Sequence, residues 1–220
     1  MILHHIPFSR SFRILWMLEE IGRQVDLRVY SIRDGSMRSK ELLRCSPAGR
    51  VPAIEFDDGS VMFESAAILQ VLAETHPEFD LDRPIGHPDR YRFLEILSFA
   101  ETIGSELEML NLQHLFLRNP KDMSVSVAKL NTARMKIGLK AVDAMLDGQD
   151  WLCRSGFSIA DIMMGFNLFC AKYFIDMEQF ENLTAYRSRI DERPAYQRAC
   201  KKDGEQDFYK QDFYPIPNSA

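Results

Sequence analysis

Two short segments on either side of an apolar hairpin place the tightest limits on how this chain can fold. Gly49-Arg50-Val51-Pro52 predicts a proline turn that leads into a strand, and Phe63-Glu64-Ser65-Ala66 predicts a strand that ends where a helix begins. The residues between them flank the sequence Asp57-Asp58-Gly59-Ser60, whose composition is typical of a tight reversal. The two segments should therefore lie close together and present an open backbone edge beside a helix N-terminus. Such a site suits a short zwitterionic peptide.

The elements around this hairpin predict a small α/β domain over residues 1–76. Apolar spacing separates helices, with a period near 3.6, from strands, with a period of two. In chain order we predict a strand over 2–5, a helix over 13–21, a strand over 25–30, a short helix within 31–47, the hairpin and a helix over 65–74. The order βαβ-α-ββα joins a βαβ unit to an antiparallel pair that is packed by one helix.

The rest of the chain predicts a second domain that is entirely helical. Residues 77–88 contain three prolines and a glycine, which is typical of a linker. Long periodic stretches follow over 89–118 and 123–147, and Ser158-Ile159-Ala160-Asp161 has the form of a helix capping box. We therefore predict a linker over 77–88 and an all-α domain over 89–220.

Charge and hydropathy argue against two classes of function. The net charge of −5 disfavours a general nucleic-acid binder, which should be basic. No apolar run reaches the roughly 20 residues that a membrane span needs. The first five residues lack the basic and apolar regions of a signal peptide, so we expect a cytoplasmic protein without nucleic-acid or membrane partners.

The four cysteines argue against a disulfide framework and against a structural metal. Cys45, Cys153, Cys170 and Cys200 are scattered without a CxxC spacing, which favours free thiols in a reducing compartment. The adjacent residues His4 and His5 should point to opposite faces of a strand, so at most one of them can face a site. We expect neither histidine to bind a metal.

Four segments, taken in their order along the chain, resemble the cytosolic glutathione transferases, bacterial and fungal members in particular. Residues 4–22 are similar to the opening of that family, 46–54 to its cis-proline loop, 64–68 to its glutamyl-binding turn and 157–161 to the capping box of its buried helix. The resemblance implies a thioredoxin-like domain followed by an all-helical domain that carries an electrophile pocket. It also implies glutathione as cosubstrate, no metal, and a homodimer.

The resemblance gives the proline turn a role in glutathione binding. A cis bond before Pro52 would turn the main chain of Val51 towards the cysteinyl backbone of a bound peptide, as an added strand pairs with a sheet edge. A trans Pro52 at a strand start is the alternative. Arg50 could reach the glycyl carboxylate or the cysteinyl backbone, or be an exposed loop arginine, and Lys40 is a weaker candidate for the glycyl end.

The second segment is implied to hold the γ-glutamyl end. Ser65 should cap the helix that follows it, and a helix N-terminus attracts anions. The resemblance implies that Ser65 binds the α-carboxylate of the glutamyl group and that Glu64 binds its α-ammonium. The alternative is that Ser65 only caps the helix and that Glu64 only interacts favourably with the helix dipole.

Catalysis by this family requires a group that stabilises the glutathione thiolate. A thiol with a pKa of about 8.5 is only a few per cent ionised at pH 7, and the thiolate is the nucleophile. Ser9 lies four residues before Arg13, as in serine-type members such as the theta and delta classes, and would donate a hydrogen bond to sulfur. Ser11 is the alternative, and Arg13 is expected to have a structural or electrostatic role.

The sequence therefore predicts a glutathione transferase that conjugates glutathione to a small hydrophobic electrophile, with a role in detoxification. Residues 9–22 contain neither tyrosine nor cysteine, which argues against tyrosine-type and cysteine-type mechanisms. Two alternatives stay open. The first is a binding protein of the same fold without turnover, and the second is another glutathione-dependent reaction, such as ether cleavage, dehalogenation or isomerisation.

Overall fold

A computed structural model describes residues 1–216 of the protein. Residues 1–85 and 191–207 pack as one compact unit, and residues 86–190 pack with the chain from 208 onwards as a second. The last four residues of the domain predicted over 89–220 lie outside the described residues. The α-helices of the described chain are α1 Ser11–Glu20, α2 Lys40–Cys45, α3 Ser65–Thr75, α4 Arg90–Asn111, α5 Val125–Met145, α6 Ile159–Ala171, α7 Glu181–Glu192 and α8 Pro194–Asp203.

A four-stranded sheet forms the centre of the first unit, in the order β2-β1-β3-β4. Its strands are β1 Ile2–His5, β2 Asp26–Val29, β3 Ala53–Glu55 and β4 Val61–Phe63. Strand β1 is parallel to β2 and antiparallel to β3, and β3 is antiparallel to β4. The thioredoxin-like order βαβ-α-ββα and the all-helical remainder that the sequence predicts are both confirmed.

Helix α1 is the most deeply buried helix of the first unit. Leu15, Trp16 and Leu18 are fully buried. The helix begins at Ser11, two residues before the predicted start, because the Phe12 N–H donates to the Ser9 carbonyl at 2.9 Å and closes the first turn early. The α1 N-terminus therefore lies directly after the turn that follows β1.

Helix α8 packs against α1 in the first unit, although the sequence analysis placed its residues in the second domain. Glu19 of α1 accepts a 2.8 Å bond from Arg198 Nε and also pairs with Lys202. Tyr196 adds an edge-to-face contact with Trp16, with ring centroids 4.9 Å apart. These contacts join segments nearly 180 residues apart, and helical periodicity carries no information about such a pairing.

The second unit is built around α6, which is buried along almost its whole length. The predicted capping box is present: the Ser158 N–H donates to Asp161 Oδ2 at 2.8 Å, and Ser158 Oγ accepts from the first turn of the helix. The other Asp161 oxygen accepts from the Leu152 N–H at 3.1 Å and from the Tyr186 hydroxyl at 2.9 Å. Asp161 therefore ties a loop, α6 and α7 together. Across residues 1–216, no helix combines the length and the apolar character needed to cross a bilayer.

Candidate active site

Three turns meet where strands end at one side of the sheet in the first unit. Strand β1 ends at His5, and β3 begins beside that end because Ala53 lies opposite His4 in the antiparallel register. Strand β4 ends there too, since Phe63 lies opposite Ala53. The turns that hold Ser9, the cis-proline segment and Ser65 are therefore neighbours. Strand polarity and register bring together residues that are more than 50 positions apart in the sequence.

The turn after β1 holds the two serines that the sequence analysis singled out. Ser9 Oγ and Ser11 Oγ lie 2.8 Å apart, and the Ser11 N–H donates to Ser9 Oγ at 3.2 Å. Ser9 is partly exposed, whereas Ser11 is fully buried. Ser11 Oγ also lies 3.1 Å from the Ile6 carbonyl oxygen and accepts from the Ile6 N–H at 3.2 Å. Ser11 is thus surrounded by partners, and Ser9 is the serine with a side open to a ligand.

A buried histidine and a buried carboxylate, neither of which the sequence pattern assigns to the site, extend this pair. His5 Nδ1 lies 2.8 Å from Ser11 Oγ, and His5 Nε2 lies 3.0 Å from the Asp203 carbonyl oxygen and 3.3 Å from Asp203 Oδ1. The Phe8 N–H donates to Asp203 Oδ2 at 2.9 Å. Hydrogen bonds therefore lead without a gap from Asp203, at the end of α8, to Ser9. Position 203 carries no sequence signal for this contact.

The Val51–Pro52 bond is cis, as the family resemblance implies, and the trans alternative is wrong. Within residues 1–216, no hydrogen bond reaches the N–H or the carbonyl of Val51, so this stretch of main chain is open to an added strand. Gly49 has φ +61°, and a Cβ at this position would lie 2.5 Å from Arg38 Nη1 and 3.1 Å from the Met37 carbonyl oxygen. A side chain at position 49 would therefore be strained by this φ and would crowd the Met37 carbonyl.

The two cationic candidates of the sequence analysis are exposed. Arg50 lies in the turn before the cis-proline, and its N–H donates to Ser46 Oγ at 3.2 Å. Lys40 is the first residue of α2 and makes no ion pair within the described part of the chain. No hydrogen bond or ion pair joins either side chain to Ser9 or Ser65. Their place in a ligand site rests on position in the fold alone.

The start of α3 has the features of an anion site. Ser65 is buried as the first helical residue, and the fully buried Arg13 donates from Nη1 to Ser65 Oγ at 2.9 Å. Since Arg13 can only donate, it leaves the Ser65 hydroxyl proton available to another acceptor. Glu64 precedes the helix at φ +76°, a left-handed conformation that costs a non-glycine residue about 1–3 kcal/mol. The Glu64 carboxylate is exposed and has no partner among residues 1–216.

Arg13 is fully buried and bonded to Ser65, which agrees with the structural or electrostatic role expected of it. It stands between Phe12 and Ile14 on a helix whose other faces are buried. A charge in such a place requires a compensating partner, since an unpaired buried charge is very costly. That position was the available signal, but Ser65, one of the hydrogen-bond partners of Arg13, is on α3, and only the folded structure identifies it.

A second polar cluster lies on the other side of β1. His4 Nδ1 lies 2.7 Å from the Tyr30 hydroxyl, and His4 Nε2 lies 3.0 Å from Glu55 Oε1. Cys45 lies beside them. One atom of each of Cys45, His4 and Glu55 that could bind a metal ion lies within 4.8 Å of the others. Burial and the Glu55 charge raise the pKa of the Cys45 thiol. Glu55 is already paired with the Arg44 guanidinium, and this cation disfavours a metal ion at the same carboxylate.

The fold defines a protein with a thioredoxin-like domain followed by a helical domain. Residues 8–75 match the family model described as glutathione S-transferase, N-terminal domain. The chain is 30% identical over 212 residues to Glutathione S-transferase GstA of Escherichia coli O157:H7, and the match covers 93% of this chain and 99% of that protein. The chain therefore belongs to the glutathione S-transferase family, and the expectation of an enzyme of this family is confirmed.

Solved structures agree with this assignment. A bacterial beta class glutathione S-transferase of Sphingomonas chungbukensis is 31% identical with a TM-score of 0.78, over 93% of this chain and 99% of that one. A sphingomonad glutathione S-transferase in complex with glutathione is 30% identical with a TM-score of 0.76, over 92% and 98%.

Some relatives have names that point to other reactions. The maleylacetoacetate isomerase of Pseudomonas aeruginosa is 25% identical over 195 residues, which cover 87% of this chain and 90% of that protein. The disulfide-bond oxidoreductase YfcG of Escherichia coli is 26% identical over 209 residues, which cover 91% and 94%. Family membership alone therefore does not fix the reaction.

Proposed function

We propose that this protein is a serine-type glutathione transferase. It binds glutathione along the open main chain of Val51 and conjugates the glutathione sulfur to a small hydrophobic electrophile. The observation that carries the proposal is the open main chain of Val51 beside the cis-proline. Its N–H and carbonyl have the geometry to pair with the cysteinyl backbone of the tripeptide, as one strand adds to another. The cysteinyl sulfur then points towards the turn after β1, where Ser9 offers a partly exposed hydroxyl.

The γ-glutamyl end belongs at the start of α3 in this proposal. The glutamyl α-carboxylate accepts the Ser65 hydroxyl and the Ser65 N–H, and the helix dipole and the Arg13 guanidinium favour its negative charge. The glutamyl α-ammonium pairs with the Glu64 carboxylate, which is exposed beside it. Both charges of this amino-acid group thereby find a partner of opposite sign. Arg50 and Lys40 are the cations assigned to the glycyl carboxylate.

Ser9 stabilises the thiolate by donating its hydroxyl hydrogen bond to the sulfur. A hydrogen bond to a charged partner contributes about 1.5–3 kcal/mol, which corresponds to a fall of about 1–2 units in the pKa of the bound thiol. A thiol with an ordinary pKa near 8.5 would then be about a quarter to three quarters ionised at pH 7. Ser11 is unsuited to this role because it is buried and engaged on all sides.

In the reaction itself, the thiolate attacks the electrophilic carbon, and a carbon–sulfur bond forms. A leaving group departs with its electron pair, or, in an addition, the electron pair moves to an acceptor atom that is then protonated. We assign the electrophile pocket to the helical domain and expect a cytoplasmic homodimer with a detoxifying role. A glutathione-binding protein of this fold without turnover is the alternative that the assay below distinguishes.

Calorimetric titration with glutathione, followed by an assay with an activated chloroarene, tests this proposal. Ser65→Ala should weaken glutathione binding by about tenfold, since one hydrogen bond to a carboxylate is lost. It should change the rate at saturating glutathione much less. Ser124→Ala is the matched control, because Ser124 caps α5 through the Val127 N–H and lies outside the proposed site.

The outcomes separate binding from catalysis. Binding without conjugation of any tested electrophile would favour the non-catalytic alternative. Absence of glutathione binding would refute the proposed function. A Ser65→Ala variant that binds glutathione as tightly as the wild type would remove the assignment of the γ-glutamyl end to α3.

A further inference from the structure

The bond directions in the chain from Asp203 to Ser9 follow from counting protons. His5 Nε2 lies 3.0 Å from the Asp203 carbonyl oxygen, which can only accept, so Nε2 carries a hydrogen. In the neutral imidazole, Nδ1 is then an acceptor, and the Ser11 hydroxyl at 2.8 Å donates to it. The Ile6 carbonyl oxygen, 3.1 Å from Ser11 Oγ, is a second and longer acceptor for this same proton, so Ser11 has no further proton for Ser9. In the 2.8 Å hydrogen bond between the two serines, Ser9 must therefore be the donor and Ser11 the acceptor.

This direction creates a difficulty for a serine that must also donate to a thiolate. While Ser11 donates to His5, the Ser9 proton points inward, away from a ligand. A proton on His5 Nδ1 reverses the chain: His5 donates to Ser11, Ser11 donates to Ser9, and the Ser9 proton turns outward. The protonation state of a buried histidine thus decides what Ser9 offers to a bound sulfur.

We propose that His5 takes up the thiol proton of glutathione through Ser9 and Ser11, and that Asp203 balances the charge of the resulting imidazolium. The inference rests on the proposed function, in which the glutathione sulfur lies against Ser9. The S–H bond breaks as its proton moves to Ser9 Oγ, Ser9 passes its own proton to Ser11, and Ser11 passes its own to His5 Nδ1. One S–H bond is lost and one N–H bond forms, and both serines stay neutral.

The hydrogen-bond geometry satisfies both ends of this transfer. Two main-chain donors stay fixed throughout: the Ile6 N–H on Ser11 Oγ and the Ser11 N–H on Ser9 Oγ, each at 3.2 Å. Before the transfer, each hydroxyl oxygen accepts two bonds and donates one. After it, each still accepts two and donates one, in the opposite direction along the chain. The number of hydrogen bonds that each hydroxyl makes along the chain is therefore the same in both states.

The Asp203 carboxylate, beside His5 at the far end of the chain from Ser9, favours transfer of the proton towards His5. His5 is fully buried and Asp203 is 6% exposed, so an imidazolium without a counter-charge would be costly. Asp203 Oδ2 is held by the Phe8 N–H, while Oδ1 lies 3.3 Å from His5 Nε2 and makes no well-directed hydrogen bond within the described chain. This carboxylate is positioned to stabilise a protonated His5, as an aspartate stabilises the imidazolium of a hydrolase triad.

Counting protons on glutathione binding to the wild-type protein tests the proposal directly. Calorimetric titrations at pH 7 in two buffers of different ionisation enthalpy give the number of protons released, and ultraviolet absorbance of the same complex gives the amount of thiolate. The relay predicts thiolate formation with almost no proton release, because the proton remains on His5. One proton released for each thiolate would overturn it, and so would bound glutathione that stays a thiol. Absence of binding would refute the proposed function itself.

Variants of the two histidines on β1 provide a second test. His5→Gln removes the proton acceptor, so the thiolate fraction at pH 7 should fall about tenfold, with one proton released for each remaining thiolate and little change in glutathione affinity. Asp203→Asn should change the same two quantities in the same direction. His4→Gln is the matched control, because His4 points away from the serines and contacts Tyr30 and Glu55. A folded His5→Gln protein with wild-type thiolate and proton counts would contradict the proposal.

Discussion

Replacing Glu19 with glutamine should destabilise the first unit by loosening α8 from α1. Glu19 is 7% exposed and accepts hydrogen bonds from Arg198 and Lys202 of α8. Each such charged bond is worth about 1.5–3 kcal/mol when shielded from solvent. The Arg198 and Lys202 side chains are about half exposed, at 51% and 43%, so solvent screening reduces each bond to about 1 kcal/mol. Because glutamine keeps one acceptor oxygen but no charge, we expect a loss of about 1–2 kcal/mol.

The pH dependence of this effect has a definite sign. Burial acts to raise the pKa of Glu19, but the hydrogen bonds from Lys202 and Arg198 outweigh it and lower the pKa below the ordinary value of 4.5. A carboxylate whose pKa is lowered by folding stabilises the protein above its unfolded pKa, and this contribution is lost as the pH falls through the folded pKa. The difference between wild type and Glu19→Gln should therefore be full at pH 7 and shrink below about pH 4.5.

Urea unfolding of both proteins at several pH values measures this difference. Glu74→Gln is the control, because Glu74 is an exposed residue of α3 in the same unit and should change stability by less than about 0.5 kcal/mol. A difference for Glu19→Gln that stays constant down to pH 3, or that grows as the pH falls, would refute the reasoning. Since Asp203 is the last residue of α8, the same variant should also weaken the contact between Asp203 and His5.

Two further predictions concern the site and the second unit. Ser9→Ala should lower the conjugation rate at pH 7 by about 10–100-fold with a small loss of glutathione affinity, because one hydrogen bond to the thiolate is lost; rates that match the wild type would reject Ser9 as its donor. Asp161→Asn should lower the free energy of unfolding in urea by about 4 kcal/mol. The amide NH₂ would face either the Ser158 donors or the donors of Tyr186 and Leu152, and a donor facing donors leaves both sides unpaired. Asp122→Asn, at an exposed position, should cost less than about 0.5 kcal/mol, and an equal loss in both variants would contradict the role of Asp161.

The order of elements was readable from the sequence because it depends on local information. Apolar spacing, glycine and proline positions and helix caps each act over a few residues, and they define the strand–helix order of residues 1–76 and the helical character of the rest. The cis bond before Pro52 and the Ser158 capping box were also predicted, the first from resemblance and the second from a four-residue pattern. These features need no knowledge of distant contacts.

The placement of α8 and the partners of the buried charges were decided by tertiary structure alone. Residues 194–203 have an ordinary amphipathic helical pattern, which is equally compatible with either unit, and only the contacts of Glu19 and Trp16 place them in the first. Arg13 needed a partner from α3, and sequence spacing does not specify one.

The choice between Ser9 and Ser11 shows the same division within the site. The sequence identified both serines in the turn after β1, but two residues of the same type and nearly the same position cannot be ranked by pattern. Folding buries Ser11 against His5 and leaves Ser9 partly open, because α1 begins at Ser11 and turns its side chain inward. Local chemistry thus determined which residue types the site contains. Long-range packing, which brings Asp203 to His5 across 198 positions, decided how those residues are connected.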